Sequence, residues 1–429
     1  MNGDIIPSLF ELPSISSFVD NISEKLIDGS SCIVLIPDTM SSDVLYQAIF
    51  QQLSKKSEWI EFLDPYYFFA DSRPLTILET VIGIKWQSLN VARTISKMHL
   101  HATFPEISQD VILIENVGKM KPDDREQWLD LLKLWADLSK TLKDRGQSIP
   151  ALCVILPASL CPKPSDETLF HKTFYWWGIP TLLELKLLSQ YEKPLNENSE
   201  LALWREHILP WLCIGDFPLF AELWNVNRID EEQIANVIGK IAKKRSWDSS
   251  HFNDFKINEN FSKNHLGFQH RIPPKDIFIY WAKGLIGYCP VYGISISTVV
   301  LSLMNRFEEI NHRIWIAQCE ALFPVLDRCR LTLCDYLNQE FGSDWPITYL
   351  QPLDKSESEY LFKSSFNCQY GHMEAVINNW SKLTNIKKRY GSYIYKFRKV
   401  RNELAHNRPL TLLQFKNFIS AVNEFRNEL

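Results

Sequence analysis

The chain has 429 residues, of which 45% are hydrophobic and 23% are charged, and it carries a net charge of −5 with a pI near 6.1. The length indicates two or three domains. The proportions of hydrophobic and charged residues exclude a disordered chain. The negative net charge excludes a positive electrostatic field over the whole molecule that would attract nucleic acid. The sequence has no apolar run of the roughly 18 to 20 residues that cross a membrane and no signal-peptide pattern at its start, so we expect a cytoplasmic location and no membrane contact.

The nine cysteines form no C-x-x-C pair and no Cys/His cluster with zinc spacing. Several of them lie inside apolar runs or on one helical stripe, which is typical of reduced thiols packed in a core. The sequence therefore predicts neither a metal site nor a bound cofactor.

Short apolar runs alternate with amphipathic stretches between residues 31 and 190. This order predicts an α/β domain over residues 1–190, in which helices cover a mostly parallel sheet. The runs that have the length and the composition of strands are 32–36, 59–63, 111–114, 153–156 and 174–179.

The segment after the first predicted strand has the length and the setting of a phosphate-binding loop, G-x-x-x-x-G-K-[ST]. Pro37 and Ser42 stand at its glycine positions, Asp43 replaces the lysine, and Val44 replaces the magnesium-binding hydroxyl. A carboxylate facing a phosphate charge is repulsive by about 1 kcal/mol at roughly 4 Å in water, and by more in a cleft. We therefore expect a degenerate nucleotide site and no ATPase activity.

The predicted strand 111–114 resembles a Walker B strand, because Glu115 follows it at the metal-holding position. Asn116 stands where a catalytic glutamate would come next. The alternative is an ordinary buried strand that ends in a cap, and we give this alternative the greater weight.

After the fifth predicted strand the pattern is helical, and Asp230 is placed to cap a helix. Over residues 25–250 the predicted strand order resembles the AAA+ and STAND ATPases, and residues 191–265 are similar to their helical lid. The resemblance implies a P-loop-like scaffold that has lost its chemistry and is used for assembly or sensing. Residues 266–304, which follow a polar stretch, are expected to be a connecting region.

Residues 305–429 have the pattern of an all-α domain. Apolar residues recur at steps of three and four over residues 315–337, which predicts one face of a long helix that Pro324 bends. A second helix is predicted over 393–406, ending before a proline, and a third over 412–425.

The second of these helices ends in the hexapeptide Arg401-Asn402-Glu403-Leu404-Ala405-His406. Placed near the end of a helix, after a long helix, it resembles the R-x4-6-H motif of HEPN ribonucleases. Its R-N-x-x-A-H form looks like the abortive-infection and toxin branches of that family. The resemblance covers residues 305–429 and implies metal-independent cleavage of RNA by Arg401, Asn402 and His406.

These residue types suit that chemistry. A histidine, with an ordinary pKa of about 6.5, can carry the proton of the 2′-hydroxyl or of the leaving 5′-oxygen near neutral pH. An arginine offers a planar fork of donors to a phosphate that gains charge in the transition state. Asn402 is placed to hold the phosphate or to orient the histidine.

A basic island surrounds the motif, since residues 387–408 contain eight cations and one acid. Such an island offers phosphate contacts and stacking surfaces to single-stranded RNA. The alternative is that the cations only form a solvated helix face. The candidate RNA contacts are the cations Lys396, Arg398, Lys399 and Arg408 and the rings of Tyr390, Tyr393 and Tyr395.

The leading hypothesis is a toxin or antiphage effector in which an inactive ATPase-like domain controls or positions an HEPN endoribonuclease. The resemblance implies RNA as a partner and a homodimer through residues 305–429, in which each chain supplies an Arg and a His to one cleft. The alternative is a non-enzymatic pseudo-ATPase scaffold subunit of a defence complex, whose HEPN-like module dimerises or holds RNA. The hypotheses differ in whether Arg401 and His406 face a common open groove at a two-fold interface or are buried in salt bridges and hydrogen bonds within one bundle.

Overall fold

The computed structural model of the protein describes residues 9–57, 59–65, 74–82, 85–86, 102–103, 110–144, 149–161, 168–191, 199–226, 230–248, 272–350, 355–379 and 384–428. The chain divides into two compact units. The sheet unit comprises Met1–Leu188, Ile214–Pro218 and Lys256–Ser297, and the helical unit comprises Ser189–Cys213, Leu219–Phe255 and Thr298–Leu429.

The strands of the described residues belong to the sheet unit. They are β1 (Ser31–Ile36), β2 (Ile60–Leu63), β3 (Lys85–Trp86), β4 (Ala102–Thr103), β5 (Val111–Ile114), β6 (Ala151–Pro157), β7 (His171–Tyr175), β8 (Ile286–Cys289) and β9 (Gly293–Ile296). Five of them form one sheet in the order β2-β5-β6-β1-β7, and every neighbouring pair is parallel. The predicted parallel sheet is thus confirmed. The pairs β3–β4 and β8–β9 are antiparallel.

The helices of the described residues are distributed over the two units. They are α1 (Pro13–Ile27), α2 (Asp43–Leu53), α3 (Pro74–Ile82), α4 (Pro122–Lys143), α5 (Leu182–Tyr191), α6 (Ser199–Leu212), α7 (Phe217–Trp224), α8 (Glu231–Lys244), α9 (Phe278–Ala282), α10 (Thr298–Leu303), α11 (Phe307–Phe341), α12 (Trp345–Tyr349), α13 (Lys355–Lys363), α14 (Tyr370–Asn379), α15 (Thr384–Ala405) and α16 (Leu412–Glu428). None of them is both long and apolar enough to cross a membrane.

Four of the five predicted strands coincide with β1, β2, β5 and β6 to within two residues at each end. The fifth prediction, 174–179, is displaced, because β7 starts at residue 171 and ends at Tyr175. The chain turns soon after this strand at Gly178, where φ is +75°, and Pro180 follows. Glycine reaches this conformation without a Cβ penalty. The strand therefore ends before this turn, and the residues 176–179 that were predicted to extend it lie outside it.

One face of the sheet is covered by α4, which begins with a proline and two acidic residues, a favourable start for a helix. Side chains along a strand point to opposite sides, so alternate residues of β1, β5 and β6 share this face. They pack with the apolar stripe of α4 in one buried cluster that includes Ile33, Leu35, Ile112, Ile114, Leu152, Val154, Trp128, Leu131 and Trp135. This packing fixes the strands, and with them the edge that carries the predicted phosphate loop.

The β8–β9 hairpin was not predicted. It lies in residues 266–304, which were expected to be a connection, and α9 and α10 lie there as well. The signal was present in the sequence, since two short apolar runs flank a turn that contains Pro290, and Gly293 opens the second run.

The helical unit is organised around α11, which continues through Pro324 over 35 residues. This helix packs against α6 and α15, and α15 packs in turn against α14 and α16. The C-terminal helical region was therefore predicted correctly. The start of α8 was also predicted, because the Asp230 carboxylate accepts the Gln233 N–H at 2.9 Å as an N-cap.

Candidate functional site

The motif that resembles the HEPN signature lies in the last turn of α15. Asn407 ends the helix one residue after His406, in a left-handed conformation with φ +58°. The N–H of Arg408 donates to the carbonyl of Glu403 at 3.0 Å, and the N–H of Asn407 donates to the carbonyl of Leu404 at 3.2 Å. This pair of bonds is a Schellman arrangement, and asparagine tolerates the backbone that it requires.

The three candidate catalytic side chains are accessible to solvent. Arg401 and His406 are exposed, and Asn402 is half-buried. The Nη1 atom of Arg401 lies 3.4 Å from the Oδ1 atom of Asn402, and the N–H of His406 donates to the carbonyl of Asn402 at 3.0 Å. Within the described residues, neither Arg401 nor His406 takes part in an ion pair. Asn402 therefore contacts Arg401 through its side chain and precedes His406 by one helical turn.

Two residues of α11 hold the chain on either side of His406. Trp315 donates its indole N–H to the carbonyl of Leu404 at 2.6 Å. One turn later, the fully buried amide of Gln318 both donates to and accepts from the backbone of Leu410, at 2.7 Å each. Sequence reasoning missed this role of Gln318, although a glutamine within an apolar stripe was a signal for it.

The start of α16 is capped from two directions. Thr411 and Gln414 form a capping box, in which the Gln414 N–H donates to Thr411 Oγ1 at 3.2 Å and the Thr411 N–H donates to Gln414 Oε1 at 2.8 Å. The N–H of Leu412 donates to the Glu231 carboxylate of α8 at 3.0 Å. The short connection between α15 and α16 is therefore held at both of its ends.

Two of the candidate RNA-binding cations have acidic partners. Arg398 forms an ion pair with Glu374, and Arg408 lies 3.7 Å from the carboxylate of Glu403. Ion pairs at exposed sites contribute about 0 to 1 kcal/mol, so a phosphate can displace such a carboxylate at little cost.

The two candidate lysines have no acidic partner in the part of the chain that the structure describes. The ammonium of Lys396 lies 5.8 Å from the centre of the Tyr393 ring, a cation–π contact, and Lys399 is exposed. These lysines and Arg401 are the candidate cations that can meet an anion without displacing a carboxylate.

The expectation for the tyrosines was wrong for two of the three. Tyr390 and Tyr393 are only 1% and 7% exposed and pack against Phe425. Tyr393 also donates its hydroxyl to Glu428 at 2.7 Å, and this hydrogen bond raises the pKa of Tyr393 to about 12. Tyr395, which is 57% exposed, is the tyrosine that remains open for stacking.

Tyr395, Lys399, Asn402 and His406 form a line on the outer face of α15. They occupy positions i, i+4, i+7 and i+11, which share one side of a helix. At the rise of an α-helix the line is about 16 Å long. It brings an aromatic ring, a cation, an amide and an imidazole onto one accessible surface.

Residues 37–42 of the segment compared with a phosphate-binding loop lie between β1 and α2, and Asp38 bonds to other parts of the sheet unit. The N–H of Asp38 donates to the carbonyl of Ala282 at 2.8 Å, and the carboxylate of Asp38 accepts the Ser159 hydroxyl at 2.7 Å. Gly284, with φ +72°, packs so closely on Thr39 that a Cβ there would come within 2.5 Å of Thr39 Cγ2. The chain around residues 282–284 therefore lies against the start of this loop.

The other three candidate residues for a nucleotide site are two carboxylates and a serine. Asp43 opens α2 and accepts the Ser41 hydroxyl at 3.2 Å, while Ser42 occupies the N-cap position without a side-chain cap bond. Glu115 follows β5, and its pKa is raised by burial and by the neighbouring charges of Asp64 and Asp43. Among the described residues, no group of His, Cys, Asp and Glu has the arrangement of a metal site.

All nine cysteines are thiols outside any disulfide, and eight of them are buried. Burial raises the pKa of the Cys153, Cys334 and Cys368 thiols to about 12, which keeps them protonated and unreactive. The prediction of core thiols is confirmed.

No protein-family model matches the chain, and no curated protein matches it.

Proposed function

We propose that the protein is a metal-independent RNA endonuclease whose active site contains Arg401, Asn402 and His406. The observation that carries the proposal is that Arg401 and His406 are exposed and, within the described residues, take part in no ion pair. Both side chains are therefore accessible to a substrate. The resemblance of the hexapeptide to the HEPN motif gives these residues their roles.

Arg401 binds the scissile phosphate with its fork of donors and stabilises the charge that grows there in the transition state. The 2′-oxygen of the ribose attacks phosphorus, the bond to the 5′-oxygen breaks, and the products are a 2′,3′-cyclic phosphate and a 5′-hydroxyl. His406 moves the proton, either from the 2′-hydroxyl or to the leaving oxygen. Asn402, in contact with Arg401, keeps the fork aligned.

One histidine per chain serves one of these two proton transfers, so the proposal includes a homodimer through residues 305–429 in which two motifs share a cleft. Light scattering at tens of micromolar tests it. A monomer under these conditions counts against the shared cleft.

The sheet unit is proposed to be an inactive ATPase-like scaffold that controls or positions the nuclease in a cytoplasmic defence system. The parallel strand order and the strand-loop-helix setting of residues 37–44 support the scaffold. The carboxylate of Asp43 and the engagement of the Asp38 N–H support its inactivity.

The test is incubation with labelled single-stranded RNA in excess chelator, comparing wild type with His406→Ala. Asn417→Ala, which changes a polar residue of α16 outside the motif, is the matched control. The proposal expects cleavage by wild type and control and none by His406→Ala. Cleavage that survives His406→Ala refutes the site, and RNA binding without cleavage in any variant favours the scaffold alternative.

A further inference from the structure

Two aromatic rings of α11 form a stacked pair at the surface of the helical unit. The ring centres of His312 and Trp315 are 5.1 Å apart and their planes are inclined by 25°. Trp315 is half-buried and His312 is exposed. The imidazole therefore covers part of the indole and leaves its own outer side to solvent.

This pair is attached to the end of the motif helix. The indole N–H of Trp315 donates to the carbonyl of Leu404 at 2.6 Å, and Leu404 precedes His406 by two residues. His312 lies one turn before Trp315 on α11. The stacked rings are thus anchored to the same helical turn that carries the candidate proton carrier.

Two cations lie close in sequence to the Leu404 carbonyl that anchors the pair, Arg401 three residues before it and Arg408 four residues after it. Arg401 is exposed and takes part in no ion pair in the described part of the chain, and Arg408, just beyond the end of α15, has only the weak pairing with Glu403 at 3.7 Å. A nucleotide combines a phosphate with a planar base, and exposed histidine and tryptophan rings are stacking partners for bases. A base inside a duplex has its faces covered, so the ligand must be single-stranded.

We propose that His312, supported by Trp315, stacks on a nucleobase of single-stranded RNA beside the phosphate that Arg401 holds. The inference deepens the proposed function and relies on it for the identity of the ligand. It gives the site a base-binding position that is contributed by α11 and not by the motif helix.

The experiment measures binding in the His406→Ala background, so that cleavage does not interfere. Fluorescence anisotropy follows a labelled ten-nucleotide RNA and an abasic oligomer with the same number of phosphates. His312→Ala should weaken binding of the RNA by about 5- to 100-fold, the range for removal of one base stack, and leave the abasic oligomer unaffected. His312→Phe keeps a flat ring without a titratable nitrogen, so its affinity should stay within about threefold of the parent.

The matched control is Asn311→Ala, which alters the exposed residue next to His312. Circular dichroism of each variant checks that the fold is kept. Unchanged RNA binding by His312→Ala, or an equal loss for the RNA and the abasic oligomer, overturns the stacking role. Loss of binding by His312→Phe as well as His312→Ala also overturns it. If the binding results are as expected but the wild-type chain cleaves no RNA, the nuclease proposal fails and the base-binding position stands.

Discussion

Gln318 and Leu410 are joined by two hydrogen bonds of 2.7 Å, one in each direction between the side-chain amide and the backbone. The amide gives Leu410 the donor and the acceptor that a neighbouring strand would give it. Because Gln318 is fully buried and Leu410 is only 4% exposed, water has little access to either group. One side chain of α11 therefore satisfies both backbone groups of Leu410, where the chain leaves the motif.

Replacing Gln318 with leucine should destabilise the helical unit. The leucine fills similar volume but leaves the N–H and the carbonyl of Leu410 without partners, and each buried polar group left unpaired costs about 1 to 3 kcal/mol. We expect the free energy of unfolding, measured by urea titration, to fall by about 2 to 4 kcal/mol. Gln339→Leu, at an exposed position of the same helix, should change it by less than about 0.5 kcal/mol. Equal effects of the two substitutions would show that the two hydrogen bonds of Gln318 contribute nothing to the free energy of unfolding.

ATP with magnesium should not bind the segment 37–44, and restoring its lysine and hydroxyl should not be enough to create binding. In the variant Asp43→Lys/Val44→Thr the N–H of Asp38 still donates to Ala282, and the contact between Gly284 and Thr39 persists. Isothermal titration of both proteins with millimolar ATP should show no saturable heat. Micromolar binding by wild type that disappears on changing this loop would contradict the inactive scaffold.

Glu184 should stabilise the sheet unit in a pH-dependent way. Its carboxylate accepts the N–H and the hydroxyl of Ser14, both at 2.5 Å, and those of Thr181 at 2.7 and 2.8 Å. Burial by itself raises the pKa of Glu184, but these hydrogen bonds outweigh it and lower the pKa below the ordinary value of 4.5. The carboxylate therefore contributes stability above pH 4.5, and this contribution is lost as the pH falls through the lowered pKa.

The variant Glu184→Gln should lose about 1 to 3 kcal/mol at pH 7, since the amide replaces one accepting oxygen with a donor. Urea titrations at several pH values should show the difference from wild type shrinking below pH 4.5. Glu200→Gln, a half-exposed glutamate at the start of α6, is the control. A difference that grows on acidification would mean that the carboxyl is bound in its neutral form.

Arg401→Lys should lower RNA cleavage by about 10²- to 10³-fold, the usual loss for one transition-state donor, while binding changes little. Lysine keeps the positive charge but lacks the planar fork of donors. The substitution therefore separates the alignment of donors on the phosphate from the electrostatic attraction of the phosphate. Single-turnover rates and affinities are the two measurements. A proportional loss in both would assign Arg401 to ground-state binding instead.

Neutralising Lys396 and Lys399 should weaken RNA binding and flatten its salt dependence. On single-stranded RNA, removing one phosphate-binding cation lowers the slope of log K against log salt by about 0.7, so the slope for the double glutamine variant should fall by about 1.4. Lys240→Gln, at an exposed position of α8, should leave the slope unchanged. Equal slopes for all three proteins would leave the lysines as a solvated helix face.

The sequence predicted the parallel sheet, the long C-terminal helices and the cap at Asp230. The spacing of apolar residues and the presence of capping residues are signals that a short stretch of sequence carries by itself. The burial of Tyr390 and Tyr393 could also be predicted from the sequence. Tyr390, Tyr393 and Phe397 recur at steps of three and four, the period of a buried helix face, and this period predicts burial of the two tyrosines better than the neighbouring cations predict stacking on RNA.

Other features depend on residues far apart in the chain. The bond between Asp38 and Ala282 and the bond between Trp315 and Leu404 join positions whose proximity only the tertiary fold decides. The position of the hexapeptide at the end of a helix could be predicted from the sequence, because the signals for a helix end are local, whereas its support by α11 could not.

The way α15 ends also has an electrostatic consequence. The carbonyl end of a helix carries partial negative charge and repels a phosphate. Here the carbonyls of Asn402, Glu403 and Leu404 each accept at least one N–H, and Leu404 accepts the indole N–H as well. With these oxygens occupied, the negative end of the helix dipole is weakened, and the full charge of Arg401 can attract an anion to this helix end.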